Sequence, residues 1–443
     1  MTAGLLSRRL FGTYLLAFVF FLVICWWIFP PFHNAFLQLF FCIFGGVFCY
    51  ANIKNRKVSI FLSVFFFHLI SVSILAAINY EFYGDVLGFD PHDALWYREC
   101  GEDYGSKSYP EFFIFLYATF PTVDDWGFPS LIWALYHLFG DAGGWLLRVM
   151  NAFVVALGSS WLYKLSLNFL EKDYSRLVAT LWGVMPYSVV VSAGGTKENF
   201  FGMVVCGFAY ALYIFKDKQN VVNTINVIIA ILGVFLFRLA TGYAAILCLV
   251  AVLLIKKNFV YKHFKILTAY ALIFSIAIFP VVLAALIQQR GFDDDVFSRG
   301  NAEKAEEVGG AIGFIVNAIS SFIGPIPCFV SSDEEKLQHL TVYSFVPYLK
   351  LLGSYFFYYA IYIIYKEKRL DFVPMIIFVL INILMLVVAF FGLHVKFQWP
   401  HMPMFLIIMT WGYIEFYNRK SSPRYYAMYL AFALLLMLFY NIR

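Results

Sequence analysis

An acidic and aromatic segment carries the densest set of side chains that could transfer protons. It runs from Gly88 to Glu99 and contains Asp90, Asp93 and Tyr97. Asp93 and Tyr97 are four residues apart, so a helix places them on one face. A carboxylate in this position can accept a proton from a hydroxyl group within hydrogen-bond distance. Asp93 is therefore the first candidate for a general base, and Asp90 is the second.

Both carboxylates also have a structural explanation. Asp90 precedes Pro91, and this pair is typical of an N-cap followed by proline at the first helical position. Asp93 then lies in the first turn, where negative charge favours the helix dipole. The segment predicts the start of a helix, and the residues alone leave open whether either carboxylate also does chemistry.

Further ionisable side chains lie beside or within apolar segments. They are Arg148, Lys197, Glu198, Arg238, Lys396 and His401. Deep in a bilayer such a group costs about 2.5–3.5 kcal/mol on insertion scales, so it usually has a partner or a function. Near the interface, snorkelling or a structural ion pair explains it equally well. If the cations converge on the Asp93 segment, the resulting cleft suits an anionic lipid phosphate beside a general base.

The overall composition predicts that a membrane protein holds these groups. Hydrophobic residues make up 62% of the 443 residues and charged residues 13%, and the mean hydropathy is +0.77. Soluble domains average roughly 45–50% apolar and about 25% charged residues. Such a chain cannot cover its surface with polar groups, so lipid must solvate it. The net charge of +5 reflects basic clusters between apolar runs and does not indicate a nucleic-acid partner.

Apolar runs of a length that crosses a bilayer recur along the chain, and helices are the form that satisfies the backbone in lipid. The sequence therefore predicts an all-α polytopic membrane protein with about 13 transmembrane helices. The predicted spans are approximately 11–31, 34–52, 58–79, 144–170, 177–194, 199–215, 221–238, 240–255, 266–287, 341–365, 371–391, 402–417 and 425–440.

Charge between the predicted spans sets the orientation. With a cytoplasmic N-terminus, the short basic connections fall on the cytoplasmic side, as the positive-inside rule requires. Two long acidic connections, at about 80–143 and 288–340, then lie outside. Within the first, Tyr109–Phe120 and Pro129–Gly140 are predicted to be interfacial helices, because a span there would move the later basic clusters outside.

The sequence contains few features that indicate a cofactor or the cellular location. The seven cysteines show no CxxC or Cys/His spacing that is typical of a metal site. No metal or other cofactor is indicated, although Asp90 or Asp93 leaves room for a divalent ion. The sequence has no Asn-x-Ser/Thr sequon, which favours a bacterial source, and we expect an integral protein of the plasma (inner) membrane.

Four stretches resemble the GT-C superfamily of polytopic membrane glycosyltransferases, in particular the bacterial branch related to protein mannosyltransferases and aminoarabinose transferases. Asp93–Tyr97 is similar to the DxxxY signature of the first large external loop. The second stretch, Trp126–Gly140 with Arg148 and Asn151, is similar to that branch's glycine-proline start, FG and R-x-x-N. The others are Lys197-Glu198 and Arg238 with Gly242. The resemblance covers approximately residues 60–410.

The resemblance implies a GT-C-like fold and an inverting enzyme that uses a polyprenyl-phosphate sugar donor at the extracytoplasmic face. The acceptor is a glycan, a lipid or a protein. Displacement at an anomeric carbon develops oxocarbenium character, and Asp93, or else Asp90, would take the acceptor proton. The resemblance assigns substrate binding, including the lipid phosphate, to a set of other residues, which are Tyr97, Arg148, Lys197, Glu198, Arg238, Lys396 and His401.

The sequence departs from the family pattern in three places. Three predicted spans precede the acidic loop instead of one, so residues 1–57 would add two transmembrane helices to a domain at 58–443. Pro91-His92 separates Asp90 from Asp93, where relatives often have a paired acidic motif, so either carboxylate could act. Lys396 and His401 stand near the last outer turn, where relatives often have an arginine.

Other classes of membrane protein remain open. A polysaccharide polymerase or ligase also uses lipid-linked sugars, but such proteins usually concentrate arginines in external loops, which are acidic here. A lipid-linked oligosaccharide flippase or transporter usually has related halves, and none are evident. In a non-catalytic membrane partner, replacement of Asp90 and Asp93 by Asn would leave the host complex active.

Overall fold

A computed structural model describes residues 45–52, 57–87, 92–119, 126–256, 310–324, 326, 345–388 and 395–442. These residues form helices and their connections, and none of them forms a β-strand. The predicted all-α class is confirmed for them. The count of about 13 spans stays a prediction, because spans such as 11–31 and 266–287 lie outside the described residues. Asp90 and most of the loop at 288–340 also lie outside them.

The helices are numbered here in chain order, and residues 45–52 are also helical. They are α1 Ile60–Tyr83, α2 His92–Tyr104, α3 Tyr109–Thr119, α4 Gly127–Phe139, α5 Ala142–Ser166, α6 Lys172–Gly183, α7 Pro186–Gly194, α8 Glu198–Asp217, α9 Val221–Phe237, α10 Leu239–Lys256, α11 Gly310–Ile323, α12 Phe345–Glu367, α13 Val373–Val388, α14 Val395–Gln398, α15 Met402–Asn418 and α16 Pro423–Ile442. Two 3-10 turns, Leu370–Phe372 and Trp399–His401, precede α13 and α15.

Several helices have the length and composition of membrane spans. Within the described residues, five segments meet both criteria: Ile60–Glu81, Ala142–Ser166, Lys172–Gly194, Glu198–Asp217 and Leu370–Val387. Three shorter apolar helices are Val221–Phe237, Leu239–Ile255 and Pro423–Phe439. Much of the exposed surface of α9 and α16 consists of large aliphatic and aromatic side chains, which is the surface that lipid solvates.

The centre of the bundle is a helix that is broken into α6 and α7. The segment Lys172–Gly194 is the most buried of the candidate spans, with 89% of its apolar window inside the protein. Met185 has an extended backbone and Pro186 starts α7, because proline lacks the N–H needed to continue α6. His68 of α1 fills the break: its Nε2 contacts the Gly183 carbonyl and its Nδ1 lies 3.2 Å from Ser192 Oγ.

Close backbone approach joins α12 to α15. A Cβ atom on Gly412 would lie 2.1 Å from the Phe356 carbonyl oxygen and 2.8 Å from Ala360 Cβ. Small residues at membrane-helix interfaces permit this approach, since packing and not a hydrophobic force drives association in lipid. The pair α12–α15 supports the turn at Trp399–His401, which leads into α15.

Two helices, α3 and α4, occur where the sequence predicted external interfacial helices, at Tyr109–Thr119 and Gly127–Phe139. The ring of Phe112 on α3 stacks on Trp133 of α4, with centroids 5.9 Å apart. Ile114, Tyr117 and Leu138 are largely exposed, as the predicted interfacial position of these helices requires. Their depth in a membrane stays a prediction.

Candidate functional site

One ammonium group joins two carboxylates that come from different parts of the chain. Lys396 Nζ forms an ion pair with Asp93 Oδ2 and lies 3.7 Å from Glu198 Oε1. Asp93 stands in the first turn of α2, and half of its side chain is exposed. Glu198 starts α8. The structure therefore brings together three of the residues that the sequence selected.

A tight turn and a hydrogen-bonded asparagine position Glu198. Gly195 ends α7 with φ +66°, a left-handed conformation that glycine adopts without strain. Asn199 Nδ2 donates hydrogen bonds to Ser188 O and to Ser192 Oγ, both at 2.8 Å. Glu198 is 5% exposed, and its Oε1 accepts no hydrogen bond within the described part of the chain. A buried carboxylate of this kind is stable only beside a cation, and Lys396 provides one.

A buried aromatic stack positions the turn that carries Lys396. Trp399 lies three residues after Lys396 and stacks on Trp182 of α6, with centroids 5.5 Å apart and an interplanar angle of 18°. Both indoles are fully buried. Gly202 of α8 makes room for the pair, because a Cβ there would lie 2.9 Å from Trp182 and 3.0 Å from Trp399 Nε1. The aromatic stack thus ties the 3-10 turn that follows α14 to α6 and α8, next to Glu198.

The other side of the same turn contacts a buried lysine that sequence reasoning missed. Lys350 Nζ donates to Ser321 O at 3.0 Å and to Gln398 Oε1 at 2.5 Å, and it lies 3.0 Å from His401 Nε2. Lys350, Gln398 and His401 are fully buried. His401, a predicted substrate ligand, thus lies in this interior cluster and not beside Asp93. The signal that could have found Lys350 is a lysine inside the predicted span 341–365.

Arg238 lies between aromatic rings of the two segments that hold Lys396 and Glu198. Its guanidinium carbon is 4.8 Å from the ring centroid of Phe397 and 5.2 Å from that of Phe201. Phe397 follows Lys396, and Phe201 is one turn after Glu198. Such a cation–π sandwich holds the guanidinium close to both segments. Lys197, half-buried, is the N-cap residue of α8 beside Glu198.

Arg148 of α5 and Tyr97 of α2 belong to a second group of side chains, separate from the Lys396 ion pair. They line a small pocket together with Ala94, Arg98 and Tyr136. Arg148 Nε donates to Ala193 O at 2.7 Å and its Nη1 donates to Gly144 O at 3.0 Å. The predicted substrate-binding residues therefore divide among three places: the site at Asp93 and Glu198, this pocket, and the interior cluster that contains His401.

An ion pair borders the pocket. Arg98 Nη1 lies 2.8 Å from Asp85 Oδ2 and 3.0 Å from its Oδ1. Burial alone would raise the pKa of Asp85, but hydrogen bonds from the Leu87 N–H and the Arg98 guanidinium bring that pKa below its usual value. Asp85 is therefore anionic at neutral pH. No cluster of three His, Cys, Asp or Glu side chains suitable for a metal occurs in the described ranges.

Part of the chain, which includes some of the site residues, matches a known protein family. Residues 126–283 match the family model described as dolichyl-phosphate-mannose-protein mannosyltransferase. The resemblance to GT-C membrane glycosyltransferases is confirmed. The mannosyltransferase match includes Arg148, Glu198 and Arg238, whereas Asp93 and Lys396 lie outside it. Together with the apolar spans, it identifies an integral membrane protein. Comparisons with curated proteins and with solved structures gave no match.

Proposed function

We propose that the protein is a membrane glycosyltransferase of the mannosyltransferase type. It transfers a sugar from a polyprenyl-phosphate donor to an acceptor hydroxyl at the extracytoplasmic face. The family match over residues 126–283 supports the reaction class. The observation that carries the proposed mechanism is the position of Lys396, whose ammonium joins Asp93 to the buried Glu198.

In the proposed reaction, Asp93 is the general base. Its carboxylate takes the proton of the acceptor hydroxyl while that oxygen forms a bond to the anomeric carbon. The bond from the anomeric carbon to the phosphate oxygen breaks, and the electron pair leaves with the polyprenyl phosphate. A single displacement of this kind inverts the anomeric configuration. The half-exposed side chain of Asp93 gives an acceptor direct access to the carboxylate.

Lys396 and Arg238 are proposed to stabilise the leaving phosphate. Preorganised positive charge lowers the barrier when negative charge develops on a leaving group. The phosphate would compete with Asp93 for the Lys396 ammonium, so donor binding would free the Asp93 carboxylate for proton transfer. Glu198, buried and fixed by the turn before α8, would keep Lys396 in place during this exchange.

A lipid-linked oligosaccharide flippase is the second candidate, because α6 and α7 form a broken helix in the centre of the bundle. Transporters often place such breaks at their substrate sites. In this protein His68 of α1 contacts Gly183 and Ser192 across the break. A neighbouring helix therefore provides hydrogen-bond partners for polar groups at the break. This internal pairing favours a structural role for the break and hence the transferase.

The two candidates give opposite results with one preparation. Purified protein in liposomes is supplied with a radiolabelled polyprenyl-phosphate mannose and a membrane extract as the source of acceptors. We expect label to move to an acceptor, and we expect no transfer by the double variant Asp93→Asn, Lys396→Gln. Translocation of intact donor across the bilayer, without transfer to any acceptor, would contradict the proposal and identify a flippase.

A further inference from the structure

A second cationic pocket lies next to Asp93 on α2. Ala94, one residue further along the helix, faces the pocket together with Arg98 of α2, Tyr136 of α4 and Arg148 of α5. Neither Asp93 nor Lys396 lines this pocket. The pocket and the Asp93–Lys396 ion pair are therefore neighbouring but separate environments.

Arg148 brings into the pocket a guanidinium that lies over the Trp145 ring and has no salt-bridge partner among the described residues. The residue is 7% exposed, and its two hydrogen bonds go to the neutral carbonyls of Ala193 and Gly144. Among the described residues, no carboxylate forms a salt bridge with it. Asp85 attracts Arg148 electrostatically but makes its ion pair with Arg98. A buried guanidinium without a paired carboxylate is stabilised strongly by an anion.

Arg98 and Tyr136 add hydrogen-bond donors to the same space. The Arg98 side chain is 30% exposed and is held by Asp85, with Glu102 Oε1 3.9 Å from its Nε. A guanidinium has five N–H donors, so these contacts leave donors for a ligand. Gly144 keeps the floor of the pocket clear, because a Cβ there would lie 2.9 Å from the Tyr136 hydroxyl oxygen.

We propose that this pocket binds a phosphate-type oxyanion carried by the sugar acceptor. This inference rests on the proposed function, which assigns the donor phosphate to Lys396 and Arg238. A second anionic group then belongs to the acceptor. Its binding beside Ala94 would place the acceptor next to Asp93, the base that takes the proton from its hydroxyl. The substrate class is an anionic acceptor with a hydroxyl group close to its charge.

Binding of simple probes tests the pocket without any transfer reaction. The measurement uses the full-length Lys396→Gln variant in neutral detergent. This substitution removes the main proposed ligand of the donor phosphate. Inorganic phosphate and a short-chain phosphatidic acid are titrated calorimetrically, with diacylglycerol of the same chain length as the neutral lipid. We expect the anionic probes to bind and the neutral lipid not to compete with them.

Two substitutions in that background separate the pocket from general surface charge. Arg98→Gln should weaken probe binding about tenfold, the effect of losing one charge-assisted hydrogen bond. The control is Lys107→Gln, which removes the same charge from an exposed lysine that lies over the Tyr104 ring. Asp85→Asn should tighten binding roughly two- to fivefold, because it removes the internal anion that competes for Arg98.

The outcomes are distinct. Binding of both anionic probes supports a pocket for the oxyanion itself, and binding of phosphatidic acid alone supports an acceptor lipid. Failure of both to bind would overturn the proposal. Equal losses in Arg98→Gln and Lys107→Gln, or weaker binding in Asp85→Asn, would also overturn it. Failure of the proposed function is a separate result, since absence of sugar transfer by the wild type leaves these binding constants unaffected.

Discussion

Lys396 Nζ lies 3.7 Å from Glu198 Oε1 and forms an ion pair with Asp93 through the same ammonium group. Glu198 is buried and fixed at the start of α8, whereas Asp93 is half exposed on α2. The ammonium therefore contacts one buried carboxylate and one carboxylate that a ligand can reach. This asymmetry suits a cation that moves from a carboxylate to an incoming phosphate.

Replacement of Lys396 should impair donor binding. We expect Lys396→Gln to raise the KM for the polyprenyl-phosphate donor about tenfold or more, because a charge-assisted hydrogen bond contributes about 1.5–3 kcal/mol. Lys396→Arg should retain part of the affinity. Steady-state kinetics with varied donor concentration measures the effect. The control is Lys164→Gln on α5, whose exposed ammonium lies over the Tyr210 ring; an equal KM for both Gln variants would exclude Lys396 as the phosphate ligand.

Lys350 should stabilise the turn that carries Lys396. Lys350→Met leaves Gln398 Oε1 and Ser321 O without their buried donor, which costs about 1–3 kcal/mol for each unsatisfied group. We expect a lower melting temperature in detergent and a higher donor KM, since Gln398 and Lys396 belong to the same short helix. An unchanged melting temperature together with an unchanged KM would show that Lys350 does not hold this turn.

Gly412 should be intolerant of any side chain. Gly412→Ala places a methyl group against the Phe356 carbonyl and Ala360, so α12 and α15 must separate. Overpacking of this kind typically costs about 1–3 kcal/mol. Thermal denaturation in detergent measures the loss. Gly127→Ala is the matched control, because its Cβ would lie 3.6 Å from Leu236, an ordinary contact; similar melting temperatures for the two variants would contradict the close approach.

The Asp85–Arg98 ion pair should make a small, pH-dependent contribution to stability. Burial raises the pKa of Asp85, but hydrogen bonds from the Leu87 N–H and from Arg98 to the carboxylate outweigh this effect. The pKa of Asp85 therefore lies below its usual value. A lowered pKa stabilises the fold above the unfolded-state pKa of about 4, and this contribution disappears as the pH falls through the lower folded-state pKa.

Comparison of the wild type with Asp85→Asn measures this contribution. At neutral pH we expect a difference in unfolding free energy of up to about 1 kcal/mol, as for an exposed ion pair. Below the folded-state pKa the two proteins should be equally stable. A difference that stays constant as the pH falls would show that the charge of Asp85 is not its source.

The sequence predicted the parts of the site that depend on local pattern. The helix around Asp93, the turn before Glu198 and the apolar helices all follow from residue type and spacing. The sequence also indicated that cations beside the apolar segments, Lys396 among them, could converge on Asp93, because an ionisable group in a membrane usually has a partner. Their actual contact depends on the Trp182–Trp399 stack, which no local pattern encodes.

The division of the other predicted residues depends on packing over long sequence distances. Arg148 turns toward Ala193 and Gly144, while His401 turns inward to Lys350. The sequence shows which charged residues lie near helix ends, but the partner of each side chain depends on how distant helices pack together. The interior role of His401 depends on Lys350, a residue that sequence reasoning passed over in an apolar run.

A single-turnover measurement with Asp93→Asn tests most directly whether Asp93 is the general base. Enzyme in excess is mixed with labelled donor and acceptor, so that donor binding and transfer are followed separately. We expect the variant to bind donor and to lose transfer by about 100-fold or more, as for removal of a general base. Asp103→Asn, an exposed change on the same helix α2, should transfer at the wild-type rate. Transfer by Asp93→Asn at the rate of Asp103→Asn would contradict the account.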